Sequence, residues 1–164
     1  MSRALEIDCA FRVGDMQALR DALDDPGVIP NGVLPHAMGS CLTYAVYHSP
    51  VAFIRELLEL GADPSPEHDD GFPPLIAALW QPSRRDTNDV IRVLLAFGAD
   101  PNQRGHHDYG PLHVAAVEGN VEAARMLLEA GADPDVRTRI DDHETPAELA
   151  ARKGDDRMSS LLAT

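Results

Sequence analysis

Aromatic side chains are scarce in this chain. One tryptophan, three tyrosines and four phenylalanines make up 5% of 164 residues. The core must therefore be aliphatic, and the position of each ring carries information. Cysteine is scarcer still. Cys9 and Cys41 cannot form a disulfide framework for a chain this long, and both fall in segments with a helical pattern. Reduced thiols and a cytoplasmic setting are expected. Cations are also in short supply, with 14 Lys and Arg against 27 Asp and Glu and a net charge of −13. A field of that sign excludes a general nucleic-acid or anionic-membrane binder; it favours solubility and a partner with a basic surface.

Long apolar runs are missing. Nothing approaches the roughly 18 uninterrupted apolar residues of a membrane helix. The first residues, Met1-Ser2-Arg3-Ala4-Leu5-Glu6-Ile7-Asp8, have no basic region leading into an apolar stretch, so no secretory signal is read there. The chain also lacks a nucleophile elbow, a phosphate-cradling glycine loop and a paired zinc motif. No catalytic residue, cofactor or metal ligand is assigned, and an enzyme is not expected.

What is present is repetition. Gly-Ala-Asp-Pro occurs at 61–64, 98–101 and 131–134, each time behind an apolar run such as Val90-Ile91-x-Val93-Leu94-Leu95. The tetrapeptide is a helix stop: glycine takes the left-handed conformation past the last turn, and proline keeps the helix from resuming. Between the stops lie Pro74-Leu75-Ile76-Ala77-Ala78, Pro111-Leu112-His113-Val114-Ala115-Ala116 and Pro146-Ala147-Glu148-Leu149-Ala150-Ala151, all in the same phase. Proline suits a first helical turn, and the alanines behind it allow close packing.

A unit of turn, short helix, tight loop, longer helix and glycine stop, repeating at about 33 residues, resembles the ankyrin repeat. The match is best at 110–115, where Gly-Pro-Leu-His-Val-Ala nearly reproduces the family's Thr-Pro-Leu-His-x-Ala. The resemblance implies an all-α solenoid with β-turn fingers, one domain over 1–164. Its five units lie near 3–30, 36–64, 70–101, 107–134 and 142–164, the terminal ones degenerate. In unit one, helices are expected around 7–13 and 15–23. Unit one lacks the Gly-Ala-Asp-Pro stop and has Pro26-Gly27-Val28-Ile29-Pro30-Asn31 instead, so its link to unit two should be irregular. Unit three carries about four extra residues between its helices, in the stretch from Gln81 to Thr87.

The resemblance also implies a binding function, with partner proteins docking on a concave face formed by the fingers and first helices. The finger residue just before the signature segment is Met38, Phe72, Tyr109 and Glu144 in units two to five. The residue five places after the signature leucine is Arg12, Tyr47, Trp80, Val117 and Arg152. Half of the aromatics thus fall on outward positions, as expected of an interface. Tyr44 and Phe53 read as packing. His113 is implied to hydrogen-bond between neighbouring turns, and Asp63, Asp100 and Asp133 to serve the turns.

The leading expectation is a small stand-alone adaptor or inhibitor, monomeric, that binds a basic partner through the concave face. Two alternatives stay open. The fingertip groups His68-Asp69-Asp70, His106-His107-Asp108 and Asp141-Asp142-His143 could form the site of a metal-dependent hydrolase, although stacked repeats hold such groups far apart. The apolar end Leu161-Leu162-Ala163 could instead serve a self-associating structural protein.

Overall fold

A computed structural model describes residues 2–36, 39–67, 72–81, 84–105, 108–139 and 143–163. Among these, ten helices form five consecutive pairs: α1 (Arg3–Val13) with α2 (Met16–Ala22), α3 (Cys41–His48) with α4 (Val51–Glu59), α5 (Pro74–Leu79) with α6 (Thr87–Ala96), α7 (Pro111–Glu118) with α8 (Val121–Glu129), and α9 (Pro146–Arg152) with α10 (Asp156–Leu162). A short antiparallel ladder of β1 (Val33–Leu34) and β2 (Gly39–Ser40) precedes α3. α1 begins a turn earlier than the apolar pattern from Ile7 predicts. The fold is an all-α repeat solenoid.

Burial follows from stacking. The first helices α1, α3, α5, α7 and α9 pack side by side in one row, and α4, α6, α8 and α10 form a second. In the middle of the stack a first helix has neighbours on every side, so every residue from Pro74 to Leu79 and from Pro111 to Ala116 is buried. That explains why these runs are apolar save for His113, since a helix enclosed all round has no polar face. The second helices face solvent on one side. They bury only stripes such as Phe53, Ile54, Leu57 and Leu58, or Val90, Ile91, Val93 and Leu94.

Each letter of the stop has its own task. Gly61, Gly98 and Gly131 have φ of 94°, 87° and 93°, and a Cβ there would meet nothing within 4 Å. Glycine is present for its backbone angle, not for space. Ala62, Ala99 and Ala132 are buried, and their N–H groups donate to the carbonyls of Leu57, Leu94 and Leu127 at 2.9, 3.0 and 2.9 Å. Each aspartate accepts from the N–H two residues on: Asp63 from Ser65, Asp100 from Asn102, Asp133 from Asp135. Such closed turns satisfy backbone groups that the helix end leaves open.

The residue after Pro30, Pro64 and Pro101 ties its turn to the stop that follows. Asn31 accepts from the Asp63 N–H at 2.7 Å and donates to the Gly61 carbonyl at 2.9 Å. The Ser65 hydroxyl accepts from the Asp100 N–H at 2.7 Å. Asn102 accepts from the Asp133 N–H at 2.8 Å and donates to the Gly131 carbonyl at 3.1 Å. The link out of the first pair contains a 3₁₀ turn, Pro26–Val28, yet its Asn31 still joins this ladder.

The extra residues of unit three fold back on unit two. The Arg84 side chain, only 11% exposed, donates to the carbonyls of Val46 and Ser49, both at 2.7 Å, at the end of α3. Asp86 holds the same guanidinium at 2.6 Å. Pro82 and Ser83 lie outside the described residues.

Replacing Asn102 by alanine removes a two-bond link between adjacent stops. Urea unfolding should show a loss of about 1–2 kcal/mol with unchanged helix content; no loss would mean that water replaces the side chain at no cost.

Candidate functional site

The N-caps set the phase of the finger positions. Ser40, Pro73, Gly110 and Thr145 cap α3, α5, α7 and α9, so the residues immediately before them are Gly39, Phe72, Tyr109 and Glu144. Met38 is one place out of phase. It also lies outside the described residues; the equivalent position in unit two is Gly39.

The other row closes the first helices. Arg12, Tyr47 and Val117 are penultimate residues, Arg152 is the last, and Trp80 is the C-cap of α5. Tyr47, Trp80 and Val117 are half-buried, with Tyr47 and Trp80 packed against the core edge. Burial raises the Tyr47 hydroxyl pKa above its ordinary value. Trp80 meets Phe72 edge to face, with centroids 4.6 Å apart and planes at 84°. The favourable aromatic geometry fixes both rings at the rim of unit three. Tyr109 makes a similar edge contact with the His113 ring at 5.6 Å.

Both ends of this row are ion-paired. Arg152 grips Glu144 with two bonds of 2.8 Å, so two positions singled out separately in unit five neutralise each other. Arg12 donates to Asp8 at 2.8 Å, and the Tyr44 hydroxyl donates to the other Asp8 oxygen at 2.6 Å. The Arg12 bond, then the Tyr44 bond, hold the Asp8 carboxyl below its usual range. Burial, reinforced by Asp8, pushes Tyr44 up to about 12. The His48 ring lies against Tyr44, centroids 4.4 Å apart, and burial lowers its pKa. Tyr44 packs on the core as read, its ring edge to face with Phe11 at 4.9 Å; Asp8, His48 and the hydroxyl bond from Tyr44 to Asp8 were missed in the sequence. The four-residue spacing of Asp8 and Arg12 was the available signal, whereas Tyr44 stood at a position read as packing. Phe53 is buried, as read.

His113 is fully buried and joins two units. The Gly110 N–H donates to its Nδ1 at 3.2 Å, which leaves the proton on Nε2 to donate to the Glu144 carbonyl at 3.1 Å. Asp108 makes a second link: it accepts from Arg104 at 2.7 Å and from the Arg139 N–H at 2.6 Å. Of the proposed fingertip ligands, only Asp108 and His143 are described, and His143 Nδ1 lies 3.0 Å from the Thr138 carbonyl. His68, Asp69, Asp70, His106, His107, Asp141 and Asp142 lie outside the described residues. Among those described, no three His, Cys, Asp or Glu side chains gather to hold a metal.

A family model described as "Ankyrin repeats (3 copies)" matches residues 42–138 and 87–164. The chain belongs to the ankyrin-repeat family. It is 29% identical over 154 residues to ankyrin repeat and KH domain-containing protein mask-1 of Caenorhabditis elegans, covering 93% of this chain and 6% of that protein. It is 30% identical over 143 residues to ankyrin repeat protein nuc-2 of Neurospora crassa, covering 86% and 12%. Over 81 residues it is 34% identical to protein phosphatase 1 regulatory subunit 27 of Mus musculus, covering 49% and 51%. The chain thus spans a small fraction of the first two relatives and half of the third. The ankyrin stack is a protein-interaction fold, and this chain is a protein–protein interaction module. No helix among the described residues is long and apolar enough to cross a membrane.

Burial lowers the His113 pKa from its ordinary 6.5. The unfolded ankyrin chain then takes up a proton at higher pH than the folded one. Stability falls as pH drops through that window. Thermal unfolding at about pH 7.5 and about pH 5.5 should show a larger fall in Tm for the wild type than for His113→Gln. Equal falls would remove the role of His113.

Proposed function

We propose that the chain grips a partner protein on the concave face of the stack, with Tyr47, Trp80 and Val117 at the centre of contact. The observation that carries this reading is the order of the row closing the first helices. Its middle is half-exposed and apolar, and its two ends, Arg12 with Asp8 and Arg152 with Glu144, are paired charges. An apolar centre inside a polar rim is the anatomy of a protein interface. Phe72 and Tyr109 extend the centre toward the fingers. Their rings rest on Trp80 and His113, so little side-chain freedom is lost when a partner arrives.

The charge of −13 favours a partner whose contacting surface is basic. The module acts as an adaptor or inhibitor in this reading, occupying a surface without altering it chemically.

Affinity capture from cells that make the protein, followed by titration of the captured partner, tests the proposal. Trp80→Ala should weaken binding by about 2 kcal/mol or more, a loss of roughly thirtyfold. Raising salt should weaken the wild type further. A partner held equally well by Trp80→Ala and by the Tyr47/Trp80/Tyr109 triple alanine variant would overturn the assignment of this face.

A further inference from the structure

The two ends of the stack are finished differently. In the last pair the exposed side chains of α10 include Asp156, Arg157 and Ser160. Leu162 is buried and Leu161 packs on the core, so the leucines of α10 turn inward. The outer face of this pair is polar, as on a capping repeat. The first pair lacks it. α1 buries Ile7, Ala10 and Phe11 against the stack, but Leu5, Cys9 and Val13 recur every four residues as a second stripe. Leu5 is 46% exposed, Val13 is 74% exposed and Cys9 is exposed. A helix with apolar residues on two sides has the pattern of the enclosed helices α5 and α7, not of a cap.

The stripe borders a groove of about 440 Å³ between α1 and α2. Its apolar lining comes from Cys9, Val13, Ala18 and Ala22, and its charged lining from Glu6, Asp15 and Asp21. The nearby cations Arg3 and Arg12 are engaged elsewhere, by Asp24 and Asp8. The groove therefore combines an apolar floor with a negative field. We propose that it docks a cationic amphipathic helix from a partner protein, a surface separate from the concave face. The occupant's apolar side chains, three and four apart, would fill the floor, and its lysines or arginines would meet the three carboxylates.

Charge argues against a second copy of this chain. A two-fold axis between antiparallel α1 helices brings each flank against the same flank of its mate. The side carrying Glu6, Asp15 and Asp21 would then face its own image, and like charges at a desolvated interface are costly.

The probe is a synthetic peptide of about 14 residues with leucines on one helical face and lysines on the other, beside a counterpart with glutamate for every lysine. Binding is read on the full chain by fluorescence anisotropy and by the rate at which Cys9 is alkylated. Cys41 is buried, and burial pushes its thiol up to about 12, so it stays silent. The lysine peptide should bind and slow Cys9 alkylation about tenfold at saturation. Val13→Lys, an exposed substitution whose thermal unfolding should match the wild type, should abolish both effects, and Trp80→Ala should leave them intact. No binding, binding indifferent to Val13→Lys, or alkylation at the free rate would each overturn the proposal. So would sedimentation showing a dimer that Val13→Lys dissociates, since the groove would then belong to a second copy.

Discussion

No helix pair in this chain can bury its apolar surface alone. α5 is apolar all round, α7 nearly so apart from His113 and Glu118, and both are too short to stand as isolated helices. They exist because a pair stands on each side of them. The stop that ends α4, α6 and α8 must therefore do more than terminate them: it must place the neighbouring pair at a fixed distance. The ladder through Asn31, Ser65 and Asn102 does so by passing side-chain hydrogen bonds to the next stop's backbone. His113 and Asp108 perform the same task nearer the fingers.

With spacing held by polar links on either side, the exposed ends of the first helices need contribute little to cohesion. Tyr47, Trp80 and Val117 lie at the boundary between core and solvent, partly covered and partly available. The cations at the ends of their row are tied to neighbours within the same face. A surface of this kind enters a contact with its shape already set, which limits the entropy lost on binding.

The fold was legible because its signals are local and repeated. Gly-Ala-Asp-Pro reports a backbone angle, a buried methyl, a closed turn and a chain direction in four letters. The site was less legible. Offsets from the signature leucine located Trp80 and Arg152, but could not reveal that Trp80 leans on Phe72 or that Arg152 is held by Glu144. Tyr44 packs on the core as its helix position implies, but its bond to Asp8 was hidden, because Asp8 belongs to a first unit that has no Gly-Ala-Asp-Pro to set its phase. In unit two, whose signature is weakest, the position equivalent to Phe72 and Tyr109 is Gly39, one residue after Met38. Periodicity gave no account of the Arg84 loop, since an insertion by definition breaks the period.

That loop alters how the stack comes apart. Other pairs can part once the apolar face, the ladder bonds and, between α7 and α9, the links through His113, Asp108 and the exposed Lys153 have let go. At the joint between α3 and α5, the guanidinium of Arg84 also caps the open carbonyls of the preceding pair's first helix, from a largely covered position. Fraying that starts at α1 therefore meets a latch before it reaches Trp80. The extra bonds of Arg84 thus hold the central repeats, with the rings they carry, to α3 independently of the amino-terminal pair.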